Sequence, residues 1–210
     1  MNKRQELYPT LSRISPVIFF YITLLNCIIN PAYNSFYLFI CYCSILGSNW
    51  IIKHLFVKPI YELLDRTSLP ILGIGSRPPK ANSCQFILDN IPSTSYGMPS
   101  GHSQMAWAIA TYIISKIIKQ WYDSVNDSDK NSDKNSDTNN KVITTFGYIW
   151  LIVSCILVLG VATYISYSRV YIEGCHTIQQ VIVGGLIGIV SGFLIYYFEK
   201  DAVNLMSKIY

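Results

Sequence analysis

The sequence predicts an all-α protein, a multi-pass transmembrane helical bundle of about five spans. Of its 210 residues, 51% are apolar and 13% are charged, whereas a soluble domain carries about 25% charged residues. The apolar residues also collect in runs. Four runs are long, and a fifth is at the lower limit for a helix that crosses the hydrocarbon core, which needs about 20 residues.

The spans are separated by turns and polar segments. The first covers residues 16–29 and needs residues 11–15 to reach a full crossing, and Asn30-Pro31 then marks a turn. No small-residue cleavage site follows it, so we interpret it as a membrane helix and not as a removed signal peptide. The other predicted spans are 35–52, 102–121, 142–167 and 177–198.

Two connections stand out by composition. Residues 55–98 are rich in proline and contain one amphipathic helix, 60–65, which predicts a long, partly helical surface loop between spans 2 and 3. Residues 122–141 contain a repeated Ser-Asp-Lys-Asn unit and are predicted to be a disordered polar loop. We interpret the whole chain, 1–210, as a single membrane domain.

Five spans place three polar segments on the same side of the membrane: the N-terminus, the 53–101 loop and the 168–176 loop. The repeat loop and the C-terminus fall on the other side. Lys and Arg are distributed too evenly for the positive-inside rule to fix the orientation. The net charge of +4 is spread out, so nucleic acid is not a predicted partner.

The first polar cluster is Ser100-Gly101-His102, at the start of the third span. A helix N-terminus presents unpaired N–H groups and the positive end of a dipole to an anion. Gly101 allows an anion to approach the backbone, and the Ser100 hydroxyl adds a donor. This cluster therefore predicts an anion site.

The second cluster opens the fifth span. Gln180 follows His176 by four residues, so its carbonyl can accept the Nδ1–H of His176 and leave Nε2 free to attack. Arg169 adds a guanidinium suited to phosphate. Either histidine alone is typical of a packing residue, but together on one side they indicate phosphoryl transfer through a histidine nucleophile. Zinc on both histidines and Cys175 is the alternative; nearby cations would repel it, so we predict no metal and no cofactor.

At these positions the chain resembles the type 2 phosphatidic acid phosphatases, a superfamily of integral-membrane lipid phosphatases. Pro99-Ser100-Gly101-His102 matches the second motif of that family, Ser168-Arg169…His176 resembles the third, and Arg77-Pro78 resembles the end of the first. The flanking Tyr96-Gly97-Met98 and His176-Thr177…Gln180-Val181 are most similar to the dolichyl-diphosphatase branch.

The resemblance implies a metal-independent hydrolase of a lipid phosphate or polyisoprenyl diphosphate. His176 would form a phosphohistidine, and His102 would act as general acid and then as general base. The residues implied to bind the phosphate are Ser100, Gly101, Arg77, Arg169 and a lysine. The alternatives are a phosphatidate or lipid monophosphate phosphatase, and a catalytically lapsed protein that binds headgroups or scrambles lipids. The implied location is an endoplasmic reticulum-like endomembrane, if the source is eukaryotic or viral in a eukaryotic host; the oligomeric state is not predicted.

The chain departs from the family pattern at three places. The first motif normally has a lysine seven residues before its arginine, where this chain has Pro70; Lys53 is the better substitute and Lys58 the runner-up. Six residues separate Arg169 from His176 instead of five, which predicts a small bulge at Glu173-Gly174. Gln180 stands where many relatives have aspartate, and a neutral partner stabilises an imidazolium less.

Overall fold

The computed structural model describes residues 3–64, 68–79, 81, 96–131 and 137–209. Across these ranges the chain is helical, apart from short loops and two isolated β-bridges, Leu69 with Gly73 and Ser76 with Tyr96. The prediction of an all-α protein is therefore confirmed.

Five long helices and one short helix make up the bundle. Their bounds are α1 Lys3–Ile29, α2 Tyr33–Ile51, α3 Lys58–Leu63, α4 Gly101–Asn131, α5 Asp137–Tyr167 and α6 Ile178–Ile209. Two π-helical segments join them or extend them: Ile52–Val57 connects α2 to α3, and Ser168–Ile172 continues α5.

Four segments in the described part of the chain are long and apolar enough to cross a membrane: Leu11–Ile29, Tyr33–Leu63, Gly147–Ile172 and Ile178–Lys208. They make the chain a multi-pass membrane protein. The predicted third span, α4, is not one of these four. It contacts α1, α2, α5 and α6, so its polar residues Ser103 and Gln104 are buried against protein and not against lipid. A helix in the middle of a bundle needs no apolar stripe facing the acyl chains.

Two small apolar clusters hold the bundle together around α4. Tyr42 and Ile45 of α2 pack on Met105 and Ala108, while Ala162 and Ile165 of α5 pack on Ala106 and Ala110. On its third side α4 packs on glycines of α6. A Cβ added at Gly188 or Gly192 would overlap the carbonyl oxygen of Gln104 or Ala108, so the two backbones are in contact, as small residues allow in membrane bundles.

The polar segments that span counting predicts on one side do meet at one end of the bundle. There Arg13 of α1 contacts both His102 of α4 and Glu173 after α5. At the other end, Lys116 of α4 forms an ion pair with Glu199 of α6, with 2.9 Å between Nζ and Oε1.

Two segments differ from their predictions. The second span continues as helix to Leu63, and residues 60–63 of the predicted helix 60–65 are its last part, in α3; residue 65 lies outside the described residues. The π-helical segment shifts the hydrogen bonds by one residue, so Pro59 enters α3 in its first turn, where its missing N–H is tolerated.

The predicted disordered loop 122–141 is helical at both of its ends. Residues 122–131 continue α4 and residues 137–141 begin α5, while 132–136 lie outside the described residues. A helix that leaves the bilayer can continue into water, and the ion pair of Lys119 with Asp123, one turn apart, supports this extension.

Candidate active site

The loop before α4 is fixed by backbone hydrogen bonds on both sides. The N–H groups of Gly97 and Met98 donate to the carbonyl of Gly75, at 2.9 and 3.2 Å, and the N–H of Ser100 donates to the carbonyl of Gln180 at 3.0 Å. A Cβ at Gly97 would lie 2.5 Å from the side-chain oxygen of Gln180, so a side chain there would displace the Gln180 amide. The predicted second motif is thereby held between the 69–79 loop and α6.

Ser100 lies fully buried at the end of this loop, and its Oγ has no hydrogen-bond partner within the described ranges. The buried Nε of Arg169 likewise has no hydrogen-bond partner within the described ranges. A buried donor left unsatisfied costs about 1–3 kcal/mol. Both predicted phosphate ligands therefore present a donor that an anion would satisfy.

His102 occupies the first turn of α4, and its Nε2 lies 3.2 Å from the carbonyl oxygen of Arg13. Because a carbonyl only accepts, Nε2 must carry the hydrogen in this contact. Gly101 packs on Asn49, whose side-chain amide donates to Gln104 at 2.8 Å. This contact of α2 with α4 fixes the start of the helix that presents His102.

His176 is buried, and its Nδ1 lies 3.1 Å from the Oε1 of Gln180. The amide orientation of Gln180 follows from its other partners: Nε2 donates to the carbonyls of Ile74 and Ser76 at 2.8 and 2.7 Å, and Oε1 accepts from the N–H of Thr177 at 3.2 Å. The oxygen must therefore face His176, so Nδ1 donates and Nε2 of the neutral ring keeps its lone pair. The hydrogen bond predicted from the spacing is present.

The charge state of His176 follows from its surroundings. Burial first, and then the charges of Arg77, Lys53 and Arg169, hold the pKa of His176 well below its usual value of 6.5. The ring is thus neutral near pH 7, the state in which Nε2 can attack a phosphorus atom.

Arg169 is fully buried and its Nη1 lies 2.6 Å from Oε2 of Glu173. The N–H of Glu173 donates to the carbonyl of Ser168, five residues back, at 2.9 Å, and Gly174 adopts a φ of 62°. The additional residue between Arg169 and His176 is thus absorbed by a π-helical turn and a left-handed glycine, where a small bulge was predicted.

The remaining predicted cations separate into two groups. Arg77 donates from Nη1 to the carbonyl of Cys175 at 3.2 Å, beside His176, and burial lowers the pKa of Arg77. Lys53 is close enough for its charge to act on His176. Lys58 instead faces Glu62, 3.8 Å away, with 48% of its side chain exposed. Of these two candidate lysines, Lys53 is therefore the one that lies near His176.

Sequence reasoning missed part of the constellation. The side chain of Glu173 contacts Ser12, Arg13, Ser168 and Arg169, and Glu173 was not among the predicted site residues. The available signal was weak: a polar Ser-Arg pair stands just before the apolar part of α1, and one acidic residue stands in the third motif. Span counting put both on the same side, but nothing paired them.

Comparison with known proteins agrees with the resemblance seen in the motifs. Residues 40–203 match the family model described as the PAP2 superfamily. Dolichyldiphosphatase 1 of Homo sapiens is 30% identical over 111 residues, which cover 53% of this chain and 40% of that protein. Dolichyldiphosphatase 1 of Rhinolophus ferrumequinum is 26% identical over 158 residues, 75% of this chain and 50% of that protein. The chain thus spans half or less of the length of these curated relatives. No solved structure matches the chain significantly.

Proposed function

The chain belongs to the PAP2 superfamily, and we propose that it hydrolyses a lipid phosphate or polyisoprenyl diphosphate through a phosphohistidine intermediate. The observation that supports this best is a neutral, oriented His176 on which the charge of Arg169 acts, together with two buried donors that an anion would satisfy, Arg169 Nε and Ser100 Oγ. A site that only bound a headgroup would not need the Nδ1–H of its histidine fixed so that Nε2 is free.

In the first step, Nε2 of His176 attacks the terminal phosphorus, and the bond from that phosphorus to the leaving oxygen breaks. His102 enters this step as the imidazolium and gives its Nδ1 proton to the leaving oxygen, while its Nε2–H stays on the Arg13 carbonyl. The oxygens of the transferring group are stabilised by Arg77, Arg169, Lys53, Ser100 Oγ and the N–H of Gly101. Such positioned donors and cations stabilise the charge that develops in the transition state.

In the second step, water attacks the phosphorus of the phosphohistidine while His102 accepts a proton from it. The bond between Nε2 and phosphorus breaks, inorganic phosphate is released and the neutral ring is restored. Gln180 holds the His176 ring through both steps. A neutral amide keeps the tautomer without adding a negative charge to a site that must bind an anion.

Polyisoprenyl diphosphate is the proposed substrate, because both relatives reported above are named dolichyldiphosphatase. Phosphatidate or a similar lipid monophosphate is the second candidate.

We propose that the reaction needs no metal and that the whole chain, 1–210, forms one domain in an endoplasmic reticulum-like membrane. The part of the chain that the structure describes holds no group of three or more His, Cys, Asp or Glu residues fit to bind a metal ion.

The test is phosphate release from farnesyl diphosphate and from phosphatidate by the detergent-purified protein, with and without chelator. We expect activity that the chelator does not change, and its loss in His176→Asn. The matched control is His54→Asn, since His54 is exposed, stacks on Trp50 and donates from Nδ1 to the Trp50 carbonyl. It should keep parental activity.

Rapid quenching should trap an acid-labile phosphoenzyme in the parent and none in His176→Asn. Hydrolysis by His176→Asn at the parental rate would refute the mechanism. Activity that the chelator abolishes would favour metal-assisted chemistry instead.

A further inference from the structure

We propose that an apolar groove between α1 and α5 binds the isoprenoid chain of the substrate, so that its residues help to select the lipid. This inference rests on the function proposed above, which assigns residues to the phosphates and none to the chain. The groove encloses about 210 Å³. It is lined by Phe19 of α1 and by apolar residues within 106–113 of α4 and within 157–165 of α5.

The groove has a floor of small buried residues and a rim that is open to lipid. Ala106 and Ala110 of α4 and Ala162 of α5 are buried, whereas Leu157 and Val161 of α5 are 64% and 54% exposed. Within the described residues α1 packs mainly on α2 and makes little contact with α5, so the side between α1 and α5 faces the bilayer. Since a cavity of about 150 Å³ takes up benzene, this groove has room for at least one isoprene unit.

The head of the groove lies next to the candidate active site. Ala106 follows His102 by four residues and Ile165 precedes Arg169 by four, so each lies about one helical turn from a site residue. From Ala106 to Ile113 the groove follows α4 for about 10 Å into the membrane. The leaving group carries the lipid chain, and His102 is the proposed proton donor to the leaving oxygen. A chain that passes His102 therefore reaches this groove first.

A second apolar groove, between α1 and α2, is separated from the site. It encloses about 250 Å³ and includes Ala108 of α4 in its lining. On its side towards the site, the hydroxyl of Tyr42 on α2 donates to the carbonyl of Pro16 on α1 and lies 3.2 Å from Sδ of Met105 on α4. These contacts tie the three helices together between the second groove and the phosphate-binding end.

Hydrogen bonds fix the other walls near the head of the first groove. Trp107 of α4 donates from Nε1 to Oγ of Ser166 on α5 at 3.1 Å. Oγ of Ser166 lies 2.9 Å from Oγ of Ser103, which donates to the carbonyl of Val181 on α6 at 2.9 Å. Because α4, α5 and α6 are linked in this way, the groove is formed before a ligand arrives, and little ordering opposes binding of the chain.

The test compares farnesyl diphosphate with dimethylallyl diphosphate, which share the diphosphate and have three isoprene units and one. Ala110→Leu fills the groove about 12 Å beyond His102 along α4. We expect it to lower the ratio of kcat/KM, farnesyl over dimethylallyl, by about tenfold, which corresponds to about 1.4 kcal/mol. The single isoprene unit of the smaller substrate ends nearer the head of the groove, so its kcat/KM should fall much less.

Ala108→Leu is the matched control. It makes the same change at a buried alanine of the same helix, but its side chain enters the second groove. It should leave the substrate ratio at the parental value. Equal ratios in Ala108→Leu and Ala110→Leu, or a lower ratio in Ala108→Leu alone, would overturn the inference.

Photolabelling of the parent protein gives a second measurement that does not depend on how the variants fold. A farnesyl diphosphate analogue with a diazirine on its second isoprene unit should label residues within 106–113 and 157–165, and excess farnesyl diphosphate should suppress this labelling. Labelling that the excess does not suppress means that bulk lipid fills the groove, and labelling of α2 in its place means that the chain lies elsewhere. Either result overturns the inference.

Failure of the proposed function has a different signature. A parent protein that releases phosphate from neither diphosphate overturns that function. A parent that hydrolyses both, with an unchanged ratio in Ala110→Leu, overturns the assignment of the groove alone.

Discussion

Replacing Gln180 by glutamate tests whether this site requires an amide where many relatives have a carboxylate. The two side chains have nearly the same shape. Glutamate can still accept from the Nδ1–H of His176 and from the N–H of Thr177, which lie 3.1 and 3.2 Å from Oε1 of Gln180. It cannot donate to the carbonyls of Ile74 and Ser76, which accept from Nε2 at 2.8 and 2.7 Å.

Two effects of opposite sign follow from this change. Two carbonyls in part-buried hydrogen bonds lose their donor and face a carboxylate oxygen instead, at a cost of about 1–3 kcal/mol each, whereas the bond to His176 becomes charge-assisted and gains about 1 kcal/mol. The net loss is about 1–5 kcal/mol, which corresponds to a fall in kcat/KM of about fivefold or more. The loss acts through the 69–79 loop, which carries Arg77 to the site.

The assay is phosphate release from farnesyl diphosphate, combined with amide hydrogen exchange of residues 69–79. We expect Gln180→Glu to lower kcat/KM and to speed exchange in this loop. Gln120→Glu, the same change at an exposed residue of α4, is the control and should alter neither. A Gln180→Glu protein with parental kcat/KM and unchanged exchange would refute the reasoning, because the two amide donors would then hold nothing that catalysis needs.

Two further predictions concern charge and packing. Arg77→Gln removes a cation that lowers the pKa of His176, so the pKa of His176 should rise. The acid limb of the pH profile of kcat/KM should therefore move to higher pH. An acid limb that stays in place or moves to lower pH would contradict this prediction. Gly188→Ala places a methyl group against the Gln104 carbonyl, so α4 and α6 must separate and the stability in detergent should fall by about 1–3 kcal/mol, as measured by thermal unfolding. Gly160→Ala, with no atom within 4 Å of the added Cβ, should unfold at or near the parental temperature.

Local rules recover much of the candidate site from the sequence. The four-residue spacing of His176 and Gln180 places both on one face of a helical turn, and the hydrogen bond between them follows. The count of spans brings His102 and Arg169 to one end of the bundle, because each crossing reverses the side. The first inference depends on the helical repeat, and the second on whether the number of spans between two segments is odd or even. Both can be read directly from the sequence.

The contacts that the sequence does not reveal are those between distant segments. Glu173 meets Arg13 across 160 residues and Ser12 across 161, and the amide of Gln180 reaches Ile74 across 106. No repeat or spacing relates such positions. An acidic side chain in an anion site also looks unfavourable until a second guanidinium is known to share it.

The two site cations on the membrane-spanning segments, Lys53 and Arg169, both lie in π-helical turns, Ile52–Val57 and Ser168–Ile172. A π-turn holds one more residue than an α-turn and therefore rotates the side chains after it, which is why such turns are frequent at functional sites. In the third motif the extra residue also brings Glu173 back onto Arg169. The additional residue therefore has a structural role in the motif. It positions Glu173, whose carboxylate pairs with Arg169 and, through Arg13, connects α1 to the candidate site.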